Sequence, residues 1–151
     1  MIHDPLSLER TILETIPMAR AMGIGVLDYD GHRIALQAPL APNVNDKGCA
    51  FGGSLASLLT LACWGLARLV LREQGLHPDI YVQDSQIDYL APVWRDLEIV
   101  ARADEGHSLA DFVAMQGARC KARITLVADV AGEAGPATTL RARFVSKRKA
   151  E

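Results

Sequence analysis

The segment Asn45-Asp-Lys-Gly-Cys-Ala-Phe-Gly-Gly-Ser54 decides how this chain is read, because two adjacent glycines stand at the threshold of a long uncharged run. That run, residues 50–67, is 18 residues long and contains no Asp, Glu, Lys or Arg. A glycine inside a helix costs about 1 kcal/mol relative to alanine, so a pair in this position needs a reason. It could enter a membrane, make a turn, or open a helix whose bare backbone does chemistry.

Working outward, the run continues through Arg68 and Arg72, which predicts a helix over 51–74 stopped by Gly75. Its length nearly spans a bilayer. Hairpin-type strands on both sides argue instead for burial at the centre of a domain, as does its content of Gly52, Gly53, Ala56, Ala62 and Gly65.

Upstream, residues 6–20 read as a first helix, with Ser7 as cap, Leu8, Ile12 and Ile16 on one face, and Pro17 ending or kinking it. Strands over 23–29 and 33–38 are joined across Asp30-Gly31, a strong hairpin signal. Downstream, strands are expected over 80–90, 97–103 and 120–130, with Cys120, Ala122, Ile124, Leu126, Ala128 and Val130 facing inward. A short helix is expected over 109–117, and a last strand with Leu140, Ala142 and Phe144 inside follows the turn at 132–136. The expectation is one α+β domain over residues 1–151. A curved antiparallel sheet of about six strands wraps the apolar helix, since nothing else can cover it. Such a sheet leaves an edge that favours pairing with a second copy.

Composition narrows the function. Charged residues are 23% of the chain and net charge is −2, so no global field draws it to nucleic acid or an anionic membrane. The N-terminal residues lack the pattern of a signal peptide. Cys49, Cys63 and Cys120 show no metal-like spacing and cannot all pair within one chain, which favours a reducing cytoplasm. His3, His32, His77 and His107 are scattered, and no metal or redox cofactor is expected.

The order of elements, Ala50-Phe-Gly-Gly-Ser54 with Trp64-Gly65 downstream, Ile87-Asp-Tyr-Leu-Ala-Pro92 and the final pair of strands together resemble the hotdog fold of acyl-CoA thioesterases and dehydratases. The chain is most similar to the thioesterase domain found at the C-terminus of certain bacterial acetyltransferases. This resemblance implies hydrolysis of an acyl thioester of coenzyme A or acyl carrier protein by a homo-oligomer, a dimer or a tetramer, coenzyme A entering only as part of the substrate. The same fold leaves two alternatives, a non-catalytic acyl-CoA binding module and a hydroxyacyl-thioester dehydratase.

Related thioesterases place an asparagine six residues before a His-Gly-Gly and an acid nine residues after that histidine. By resemblance Asn45 falls on the asparagine and Gly52-Gly53 on the glycines, whereas Phe51 stands for the histidine and Thr60 for the acid. Gly52 and Gly53 would present helix N-terminal N–H groups to an acyl carbonyl, or else let helix and sheet approach closely. Asn45 would hold the carbonyl or the attacking water, or shape its loop. Thr60 would orient water, or bond the carbonyl four residues back. Asp84 is the best placed alternative carboxylate, reaching a site formed across a dimer, with Asp46 second. Cys49 has no histidine beside it to activate it as a nucleophile. Alternation also puts Arg102, Lys121, Arg123, Arg141, Arg143 and Lys147 on the outward sheet face, as a phosphate-attracting field or as partners of acidic side chains.

Overall fold

In the computed structural model, which describes residues 5–150, the helices are α1 (Pro5–Thr15), α2 (Pro17–Met22), α3 (Gly52–Glu73) and α4 (Leu109–Arg119). The strands are β1 (Gly25–Tyr29), β2 (Arg33–Ala38), β3 (Asp79–Tyr89), β4 (Leu97–Ala103), β5 (Lys121–Ala131) and β6 (Pro136–Lys147). They form one six-stranded antiparallel sheet in the order β1-β2-β4-β5-β6-β3. This is the hotdog architecture: the sheet curves around α3, which touches β2, β3, β4, β5 and β6.

The long helix forms because nothing in it breaks one and its apolar side chains have a sheet to pack on. Leu58, Leu59, Leu66 and Leu71 are fully buried. Each contributes roughly 1.5–3 kcal/mol by removal from water. The one helix of the described residues long and apolar enough to cross a bilayer is thus the core helix of the fold. Gly65 belongs to the packing, since a Cβ there would meet Leu8 at 3.0 Å and Ile34 at 3.4 Å. The helix ends as a Schellman turn: Leu76 N–H donates to Leu71 O, Gly75 N–H to Arg72 O, and Gly75 takes φ +72°.

Three boundaries differ from expectation. The first helix is two helices, because a residue before proline is pushed out of the helical region and Ile16 is extended (φ −122°, ψ 93°). Pro17, which has no N–H to lose, begins the second. The first strand starts at Gly25 rather than residue 23, since Gly23 (φ +71°) caps α2. Cys120 is not an inward strand residue. It caps α4 in the left-handed region (φ 59°), the helix itself ending at Arg119, two residues beyond the expected end, and β5 begins after it. The remaining inward set of β5, Ala122 to Val130 in steps of two, is buried as the alternation requires.

The β1–β2 turn follows its dipeptide. The Asp30 carboxylate accepts from the backbone N–H of His32 (2.9 Å) and Arg33 (2.8 Å), which holds its pKa below the ordinary carboxylate value.

Candidate active site

Helix α3 starts without a side-chain cap. Phe51 is its N-cap, extended at φ −70° and ψ 130°, and the first helical bond runs from Leu55 N–H to Phe51 O at 3.0 Å. Among the described residues the N–H groups of Gly52, Gly53 and Ser54 have no acceptor. Three unpaired donors therefore gather at the positive end of a 22-residue helix.

The segment before the helix is closed on itself. Phe51 N–H donates to Asn43 O (2.7 Å), Ala50 N–H to Val93 O (2.8 Å), and Val44 bridges Ala50. Asn43 anchors it from below: its buried amide donates to Met22 O (2.9 Å) and Pro39 O (2.7 Å). Sequence reasoning passed over Asn43, because an asparagine after Pro42 reads locally as one more loop residue. Only contacts 21 residues away reveal its work.

Asn45 sits in the same loop with its side chain occupied. Its Oδ1 accepts from Lys47 N–H (2.8 Å) and Cys49 N–H (3.2 Å), and its Nδ2 donates to Cys49 Sγ (3.1 Å). The loop-shaping alternative describes this geometry. Asp46 pairs with neighbouring Lys47 at the surface. Thr60 Oγ1 donates to Ala56 O (2.8 Å), the back-bond to the preceding turn, and Ser57 does the same to Gly53 O (2.9 Å).

Asp84 lies elsewhere. It is cross-strand partner to Arg143, on the face opposite buried Ala142 and Phe144, and both its oxygens accept from the Arg143 guanidinium. Arg143 holds the Asp84 carboxyl below its ordinary pKa. The structure places Asn45 in the loop whose Val44–Ala50 bridge leads into Gly52 and Gly53, leaves Thr60 two turns along α3, and directs Asp84 away from the helix. The outward basic field is largely matched: Arg102 pairs with Asp129 (3.2 Å), Arg141 with Asp104 (2.6 Å), and Arg123 bonds Gln83 (3.1 Å).

Two aromatic rings flank the helix mouth. The Phe51 ring, about half exposed, lies over Gly53, where a Cβ would fall 2.8 Å from its Cζ. The Tyr89 ring lies against Gly52, 3.5 Å from where a Cβ would stand, and its hydroxyl reaches Gly52 O at 3.5 Å. Leu90 and Trp94, both well exposed, border an adjoining hollow of about 530 Å³. A roomier cleft, about 760 Å³, lies at the other end of α3 beside Val70, Glu73 and Val113. Some 20 residues of helix, roughly 30 Å, separate it from the free N–H groups. The donors, not the volume, mark the candidate site.

The family sequence profile described as "Putative thioesterase (yiiD_Cterm)" matches residues 6–148. Among solved structures, a Chlorobaculum tepidum protein of unknown function is 29% identical, with 97% of this chain and 98% of that one covered and a TM-score of 0.87. A Shewanella oneidensis protein described as a putative thioesterase is also 29% identical, with 95% and 96% covered and a TM-score of 0.85. A Pseudomonas aeruginosa protein described as a probable thioesterase shares the fold at 19% identity, with 99% of each chain covered and a TM-score of 0.81.

Proposed function

This chain belongs to the putative thioesterase family whose profile spans it, and from that membership we propose that it hydrolyses an acyl thioester of coenzyme A or acyl carrier protein. The single observation that carries the reading is the set of unpartnered N–H groups at the start of the buried α3. An acyl carbonyl seated on them gains stabilisation as negative charge develops on its oxygen. Water adds to the carbonyl carbon, the carbon–sulfur bond breaks, and the proton released by the water ends on the thiol, leaving a carboxylic acid. Backbone donors supply the electrostatic stabilisation, so the reaction as proposed calls on no metal or redox cofactor.

The side chains support this in different ways. Asn45 holds the loop that leads into α3, and in this reading its amide, once released from Cys49, orients water. Thr60 supports the helix through its back-bond. Asp84 would serve as a base only after release from Arg143, in a site completed by a second subunit.

A homodimer through β3 belongs to the proposal. Among the described residues the strand pairs with β6 on one side and with no strand on the other, and residues 81–86 are all exposed. Tyr81 and Val82 are apolar side chains on that open edge, which a second copy would cover. The proposed place of action is the cytoplasm, consistent with three free cysteines.

Phe51 and Thr60, at the positions of the histidine and acid of related enzymes, favour one second reading: an acyl-CoA binding module without turnover. Release of free thiol from short-, medium- and long-chain acyl-CoA substrates decides between them. Hydrolysis of at least one chain length is expected; saturable binding without thiol release would establish the binding module.

A further inference from the structure

We propose that the Tyr89 hydroxyl is a further hydrogen-bond donor of the carbonyl-binding site, acting beside the N–H groups of Gly52 and Gly53. The inference rests on the thioester-binding reading above and assigns one residue within it. Tyr89 is the last residue of β3, in register with Thr138 of β6. Just beyond it, Leu90 N–H and Ala91 N–H both donate to Ala137 O (2.8 and 3.0 Å), which fixes the strand end against its neighbour. The alternation that turns Asp84 and Asp88 outward turns Ile87 and Tyr89 toward the helix. The strand therefore delivers the ring to the helix mouth, where it lies beside Gly52 on the first turn.

The hydroxyl is positioned but uncommitted. Its contact with Gly52 O is 3.5 Å, far beyond the 2.7–2.8 Å usual for a hydroxyl donor, and the residue is 56% exposed. A ligand oxygen arriving at the free N–H groups would draw the proton away from so weak a partner. Three other polar side chains of this region are engaged: Asn45 with Cys49, Ser57 with Gly53 O, and Thr60 with Ala56 O. Tyrosine hydroxyls serve as oxyanion donors alongside backbone N–H groups, and loss of one such donor lowers turnover by about 10²-fold in well-enclosed sites.

The test is Tyr89→Phe, which keeps the ring packed on Gly52 and removes only the hydroxyl. Two non-hydrolysable ligands are titrated by calorimetry: a ketone analogue of acyl-CoA, with CH₂ in place of sulfur, and an alkyl-CoA thioether without a carbonyl. The wild type is expected to bind the ketone at least fivefold more tightly than the thioether. Tyr89→Phe should lose most of that preference while binding the thioether as the wild type does. With an acyl-CoA substrate, kcat should fall at least tenfold and KM stay within about twofold. An absent preference in the wild type, a preference retained in Tyr89→Phe, or an unchanged kcat overturns the assignment. A Tyr89-dependent preference in a wild type that hydrolyses nothing upholds the assignment and removes the proposed hydrolysis.

Discussion

The Phe51 ring occupies the space that a side chain on Gly53 would need: a Cβ built there falls 2.8 Å from Cζ of the ring. The atom in the way is the far end of a side chain, so Gly53→Ala is accommodated by swinging the ring aside over the helix mouth. Gly53→Ala should lower kcat/KM about tenfold, and in a Phe51→Ala background the same substitution should cost less than threefold. A double-mutant cycle on thiol release reads the coupling, and additive effects would place the ring's contribution elsewhere. Gly52→Ala, whose Cβ meets Tyr89 only at an ordinary 3.5 Å, should be the milder of the two single changes.

Asn45→Ala removes three hydrogen bonds from the loop that feeds α3. At about 1 kcal/mol for each, reduced by partial exposure, the expected loss is about 1–2 kcal/mol, measured by urea unfolding. Asn45→Asp keeps the acceptor oxygen and loses the donor to Cys49. A kcat well below wild type in this variant, with stability near wild type, would give the amide a role in positioning water.

Thr60→Val keeps the shape of the side chain and removes a hydroxyl whose bond goes to the preceding turn of its own helix. Stability should change by less than about 1 kcal/mol and kcat by less than twofold. A tenfold fall in kcat would instead make Thr60 a water-orienting group.

Arg143 holds the Asp84 carboxyl below its unfolded value of about 3.9, and Arg141 does the same for Asp104. A lowered folded-state pKa contributes stability that is fully present above the unfolded value and is lost as pH falls through the folded one. Asp84→Asn should therefore flatten the loss of stability below about pH 4 in acid unfolding curves and leave kcat within twofold at neutral pH. A collapse of kcat would show Asp84 acting as a base across the subunit boundary.

Val82→Lys puts a charge on the open edge of β3, where a second copy would have to bury it. Sedimentation velocity should show a dimer for the wild type and a shift toward monomer for the variant, with turnover falling in step if the partner completes the site. A wild-type monomer would remove the proposed interface.

Much of the fold was legible because it is written in local periodicity. The alternation of β4, β5 and β6, the Asp30-Gly31 turn and the Gly75 stop each depend on residues only a few positions apart. The misplaced boundaries lie at Ile16, Gly23 and Cys120, where a capping conformation overrides the pattern that surrounds it. The site was legible only in part. Gly52 and Gly53 were found because an adjacent glycine pair opening an apolar run has few structural explanations. Tyr89 and Asn43 were missed because their partners lie 37 and 21 residues away.

By itself, then, the sequence determined that a glycine-opened apolar helix must be buried inside an antiparallel sheet, since 18 uncharged residues have nowhere else to go in a chain with hairpins on both sides. Only the tertiary structure decided what surrounds the opening of that helix. Chain folding brought Tyr89 from the end of a strand against Gly52, laid Phe51 over Gly53, and tied Asp84 to Arg143 on the far face. The reason is physical: burial and periodicity are properties of neighbouring residues, whereas the environment of a free N–H group is set by whichever distant segments the packed core brings within 4 Å.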